Sequence, residues 1–302
     1  MKKSKSMILA FALPPTLIFC IASLYPIVRT VLMSFFSVQE ISDTVDKWKF
    51  NGIGNYIDLL NTPLYRTSWI NLAKIFLIGG MATLGISLLL AVILKSGIRG
   101  RGFWQAIIYL PNIISGAAMG TVWVQGVFNS SYGILTNLFK ALHLDALANI
   151  QWLNMENKFW AMLIAFCFCM IGYFMLIWLS GMERISPDYY EAASIDGAGK
   201  VRQFFCITLP LLKGILRTNI TMWGITVSGF FLWSNVFSPL TPDNATIVPM
   251  VYMYNRMFGS EQSSVVTRDA GASAAIGVML CIFVVSIFTL VNHLLKKDDL
   301  EF

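Results

Sequence analysis

Six stretches of this chain are apolar over about the twenty residues that a helix needs to cross a bilayer. They are Met7–Phe36, Ser68–Leu94, Trp104–Phe128, Phe159–Ser180, Ile215–Ser238 and Ala272–Leu295. No other feature restricts the fold as much. It implies an all-α, polytopic membrane protein with six transmembrane helices. Composition agrees: only 13% of the residues are charged and 56% are hydrophobic, against about 25% charged in soluble domains. The first stretch is longer than a bilayer requires, and Pro14, Pro15 and Pro26 are expected to bend it.

The N-terminus resembles a secretory signal, because Lys2, Lys3 and Lys5 precede an apolar run. That run far exceeds the about 7–15 residues of such a signal, so a retained first helix is expected. The net charge of +6 lies in the gaps between apolar runs rather than on one stripe, which argues against nucleic-acid binding. Lys and Arg are denser in one set of gaps, with Lys95, Arg99, Arg101, Arg184, Lys200 and Arg202 among them. By the positive-inside rule these gaps and both termini face the cytoplasm. Five cysteines with no paired spacing make no disulfide framework. Cys167 and Cys169 read as buried small apolar side chains. His143 and His293 lack metal-ligand spacing, and no metal site is expected.

Outside the expected spans, Ile53, Tyr56, Ile57 and Leu60 have the spacing of a short amphipathic helix, suited to lying on a lipid surface. Gly116 and Gly120, and Gly224 and Ser228, are small residues four apart, which permit close helix approach. Arg29, near the outer end of the first span, either snorkels outward or serves a pore or gate. The fifth span is unusually polar, with Asn219, Thr221, Trp223, Thr226, Ser228 and Asn235.

The polar island Gly181–Gly214 is too long for a simple turn. Ser186-Pro187-Asp188 is a helix-start signal: Ser186 as N-cap, Pro187 at the first helical position and an acid in the first turn. Gly197 and Gly199 end that helix, Val201–Ile207 begins another, and Pro210 marks re-entry into the membrane. Ala192 and Ala193 leave room for a partner, and Glu191 and Asp196 can accept charged hydrogen bonds from it. Glu191-Ala192-Ala193 is followed after three residues by Gly197, and after nine more by Ile207, Leu209 and Pro210. This spacing resembles the "EAA" loop of the membrane subunits of ATP-binding-cassette importers. Phe50–Leu60, Tyr109-Leu110-Pro111, Tyr132–Leu135 and Gly271–Ala275 extend the resemblance along nearly the whole chain. It looks like the carbohydrate branch, and within that branch it is closer to the first membrane subunit of maltose-type transporters than to that subunit's usual partner.

The resemblance implies a type I importer transmembrane domain in a bacterial or archaeal cytoplasmic membrane. Residues 1–67 would hold the first helix and the extracytoplasmic amphipathic segment. Residues 68–295 would form the core, with the coupling loop at 181–214, and residues 296–302 a cytoplasmic tail. Glu191, Ala192, Ala193, Asp196, Gly197, Ile207, Leu209 and Pro210 would couple to an ATPase. Tyr173, Trp223, Thr226, Ser228 and Gly229 would line the solute path, unless they serve polar helix packing. The implied partners are a second permease subunit, ABC ATPase subunits, an extracytoplasmic solute-binding protein, a saccharide and membrane lipid. ATP and Mg would sit on the partner ATPase, with no cofactor on this chain. Gly197-Ala198-Gly199-Lys200 is not a phosphate loop, because Ser194 stands at its first glycine and Val201 follows the lysine. The chain is therefore read as non-catalytic. Other solutes stay open: glycerol-phosphate esters, polyamines or amino acids. An integral membrane enzyme would need clustered His, Asp or Glu, and an ion-coupled transporter would be expected to show internal repeats. Ser238–Asn244 departs from the family's Gly-Gly-Pro turn after the fifth span.

Overall fold

A computed structural model describes residues 5–239, 243–259 and 268–295, with the side chains of 5–9 excepted. The expected tail 296–302 and the middle of Ser238–Asn244 lie outside the described residues. In chain order the helices that frame the molecule begin with α1 (Ala10–Met33), α2 (Gly54–Asn61) and α3 (Pro63–Lys95). Then come α4 (Arg101–Ile113), α5 (Gly116–Val127), α6 (Lys158–Glu183) and α7 (Pro187–Ile195). The last are α8 (Lys213–Ser228), α9 (Leu232–Phe237) and α10 (Ala270–Leu294). Among the described residues α1, α3, α6 and α10 are long and apolar enough to cross a membrane. The pair α4 and α5 would make a further span.

Two segments expected as single spans are broken. Between α4 and α5 the chain turns by 90°. Pro111 has no amide to donate in the last turn of α4, and Ile114 and Ser115 adopt extended ψ angles of 139° and 131°. The fifth expected span divides at Gly229–Phe231 into the 16-residue α8 and the six-residue α9.

By contact the chain forms two units. The first holds residues 1–66 and 252–282. Here α1 runs on through Pro14, Pro15 and Pro26 by way of a π-helical turn at Cys20–Leu24, in which the Tyr25 amide donates to the Cys20 carbonyl. Such a turn rearranges the hydrogen bonds that proline interrupts. Arg29 Nη2 donates to the Ile41 carbonyl at 3.1 Å and its guanidinium lies 5.9 Å from the Trp48 ring centre. Strands β1 (Phe36–Ser37) and β2 (Lys49–Phe50) pair antiparallel beyond the helix, Phe36 opposite Phe50. Asn55 fastens this corner, donating to the Ser34 and Phe36 carbonyls at 2.9 Å each, while the Tyr56 hydroxyl donates to Ser34 Oγ at 2.8 Å. On α2, Asn55 and Leu59 are buried, and Ile53 just before it, Ile57 and Leu60 are exposed. The start of α10 closes on the same corner. The Gly271 amide donates to the Val38 carbonyl at 3.0 Å, and a β-carbon on Gly271 would strike the Phe36 carbonyl.

The second unit holds residues 67–251 and 283–302. Its centre is α6, which is buried on most sides, so Cys167 and Cys169 are both inside although they point apart. Backbones approach closely where side chains vanish. A β-carbon on Gly172 would collide with the backbone of Ile108 and Tyr109 in α4. Gly116 and Gly120 lie against the side chains of Leu232 and Val236, and Gly224 against that of Ile287. Beyond α9, Asp243, Thr246, Ile247 and Val248 are buried. Asn71 Nδ2 donates to the Asn244 and Ile247 carbonyls at 3.0 Å each. Asp243 pairs with Lys158 Nζ at 2.8 Å. Burial pushes the Asp243 carboxyl up, but the bonds from Lys158 and the Ala245 amide outweigh it and hold it below the usual carboxylate range.

Candidate functional site

The Glu191 loop is two helices joined at a glycine corner. Its first helix starts where sequence demands. Ser186 Oγ accepts the Asp188 amide at 3.3 Å and Pro187 occupies the first turn, where its missing amide costs nothing. The helix stops at Gly197, whose φ is +77°. The Gly197 amide donates to the Ser194 carbonyl at 3.1 Å and the Ala198 amide to the Ala193 carbonyl at 2.8 Å. This pair of bonds is a Schellman C-cap, which places its left-handed residue at glycine. A second short helix, Lys200–Gln203, then leads through a π-helical turn at Phe204–Thr208 to α8.

Gln203 holds the corner. It is buried, and its Nε2 lies 2.9 Å from Ser194 Oγ, 3.0 Å from the Ala198 carbonyl and 3.4 Å from the Tyr190 carbonyl. Tyr190 adds a second tie, its hydroxyl 3.0 Å from Thr208 Oγ1. Sequence reasoning found neither role, because a single amide in a polar loop has no periodic signature. Below, Ile185 and Leu212 at the two feet of the loop join a buried cluster with Leu94, Trp178 and Met182. The Arg101–Glu183 ion pair ties α4 to the end of α6.

Above this frame the expected coupling residues divide by exposure. Glu191, Ala192, Asp196, Gly197 and Pro210 are exposed, while Ala193, Ile207 and Leu209 are half-buried. The most exposed apolar groups here were not on the sequence-based set: Ile195 is 87% exposed, Val201 72% and Phe205 60%. Beside them opens a groove of about 750 Å³, lined by Lys95, Tyr190, Glu191, Ile195, Lys200 and Phe204 among others. Apolar knobs with an acid and lysines beside them form a surface that water solvates poorly and a complementary protein would cover.

The expected solute-path residues do not stand together on one open face. Trp223 is 1% exposed, between Phe166 and Phe174 at 5.4 and 5.7 Å, and its indole donates to the Phe76 carbonyl at 2.9 Å. It packs helices in this structure. Tyr173 is half-buried with its ring against Phe174. Thr226 and Ser228 donate to carbonyls of their own helix, and exposed Gly229 begins the break between α8 and α9.

Residues 83–297 match the family described as "Binding-protein-dependent transport system inner membrane component". The chain belongs to this family. The matched stretch takes in the Glu191 loop and every helix from within α3 to α10. As an inner membrane component of a transport system, the chain also has full-length relatives. It is 30% identical to the arabinooligosaccharides transport system permease protein AraP of Halalkalibacterium halodurans, over 95% of this chain and 87% of that one. It is 25% identical to the diacetylchitobiose uptake system permease protein NgcF of Streptomyces coelicolor, over 95% and 82%. Its fold matches a chain in the crystal structure of a bacterial alginate ABC transporter in complex with an alginate pentasaccharide-bound periplasmic protein. The TM-score is 0.78 at 19% identity, covering 97% of this chain and 95% of that one. That likeness shows the fold, that of a type I importer permease. These relatives are transport permeases, which accords with a non-catalytic chain.

Proposed function

We propose that the chain is the pore-forming subunit of an ATP-driven importer whose solute is a sugar or oligosaccharide. One observation carries the proposal: the Glu191 loop is rigid underneath, through Gln203 and Tyr190, and apolar on top, at Ile195, Val201 and Phe205. A loop that only linked two helices would need neither property. A partner's cleft could take up the apolar knobs, and Glu191 and Asp196 would accept hydrogen bonds at its edge. That partner is an ABC ATPase, which holds ATP and Mg. Closure of the ATPase pair would pull the loop, and the rigid corner would pass the displacement through Pro210–Leu212 into α8. A second permease subunit completes the pore, and an extracytoplasmic binding protein delivers the solute. The ATPase and the binding protein then bias one equilibrium of the helices, inward-open or outward-open. The loop and both termini face the cytoplasm on this reading, as the Lys and Arg distribution supports.

A saccharide is favoured because AraP and NgcF carry saccharide names and match nearly the full chain. The test is uptake by the assembled complex, reconstituted with its binding protein, of labelled oligosaccharides against glycerol phosphates, polyamines and amino acids. ATP-dependent accumulation of at least one saccharide is expected. Accumulation of a non-sugar alone would overturn the substrate assignment while leaving the importer reading in place.

A further inference from the structure

Asn219 lies in the middle of α8 with 0% of its surface exposed, and neither Oδ1 nor Nδ2 has a partner in the protein. In an apolar interior an unpaired amide is costly, so such groups are nearly always satisfied. Its neighbours follow from register. Trp223 on α8 lies against Gly80 on α3, and about three turns back Leu212 shares a buried cluster with Ala91 and Leu94. The two helices are therefore antiparallel, and Asn219 falls at the level of Leu84. There the buried face of α3 carries Thr83 and Ser87.

Thr83 is fully buried; its hydroxyl has no oxygen or nitrogen partner and meets only the Cys167 thiol. Helical threonines elsewhere in this chain donate to the carbonyl four residues back, as Thr218, Thr221 and Thr226 do. For Thr83 that carbonyl is Gly79, the end of a π-helical turn at Ile75–Gly79, and Cys167 Sγ donates to it instead at 3.7 Å. Ser87 already donates to the Leu84 carbonyl and keeps lone pairs to accept.

We propose that an internal water molecule sits in the seam between α3 and α8, bridging the Asn219 amide to the Thr83 hydroxyl. Water is the ligand of the right chemistry. The atoms short of an oxygen or nitrogen partner are neutral, include donors and an acceptor, and are buried. Buried waters characteristically make about three hydrogen bonds to groups of this kind. A bridging water also lets Asn219 stay buried in the middle of α8.

The test combines a structure of the assembled transporter, at a resolution that shows ordered water, with thermal unfolding of Asn219→Leu, Thr83→Val and the double variant. The expected result is a water peak within hydrogen-bond distance of both side chains. Each single variant should melt about 2–10 °C lower. The double variant should melt no lower than the worse single one, because both remove the same bridge. Unchanged or raised melting in either single variant, or a direct Asn219–Thr83 bond with no water between them, would overturn the proposal. If Asn219→Leu does not assemble, Thr83→Ser decides: it keeps the hydroxyl and should melt near wild type while Thr83→Val does not.

Discussion

Gln203 shows how one side chain can set the stiffness of a loop. Its amide faces three acceptors, Ser194 Oγ and the carbonyls of Ala198 and Tyr190, and only a donor fits there. Gln203→Ala leaves those part-buried acceptors short and should cost about 1 kcal/mol of loop stability. Gln203→Glu should be no better although it is nearly isosteric, because an ionised carboxylate only accepts and would face three acceptors. Hydrogen exchange at the Gly197 and Ala198 amides measures this, since both amides close the cap. Faster exchange in both variants is expected, and unchanged protection would mean the corner is held by something else. Gly197 differs in kind. Nothing lies within 4 Å of where its β-carbon would be, so its requirement is the φ of +77° alone.

At the scale of helices, what was legible in the sequence depended on range. Apolar runs announce α1, α3, α6 and α10 because a bilayer demands length and continuity. The cap of α7 was legible for the same local reason: Ser186-Pro187 and Gly197 act on their own backbone. The breaks at Ile114–Ser115 and Gly229–Phe231 were not read as breaks, since apolar residues continue through both and Pro111 alone marks the first. The amphipathic reading of α2 caught its exposed stripe at Ile53, Ile57 and Leu60 but gave no hint that Asn55 clamps the end of α1. The resemblance implies a solute contact at Trp223; in this structure its indole is buried and donates to the Phe76 carbonyl. Glycines separate by what they meet. Gly172→Ala puts a β-carbon into the backbone of α4 and should destabilise the assembled protein by about 1–3 kcal/mol. Gly85→Ala, with open space around it, should leave stability unchanged or raise it by up to about 1 kcal/mol through helix propensity. Melting temperatures of the two variants side by side check the packing of α6 on α4; equal effects would contradict it.

For the whole molecule the account turns on one path, from the exposed knobs of the Glu191 loop through the Gln203 corner to Leu212 and α8. Two substitutions act on the exposed face and leave the buried frame intact. Gly197→Asp forces a side chain onto a left-handed residue and adds charge beside Asp196. Glu191→Lys reverses a charge at the groove. The most direct measurement is binding-protein-stimulated ATP hydrolysis and solute transport by the complete complex in lipid vesicles, with ATPase co-purification scored alongside. Both variants should insert and fold yet lose the ATPase or its stimulation, with transport falling at least tenfold. Wild-type stimulation and transport in both would contradict the claim that this loop couples the ATPase to the membrane helices.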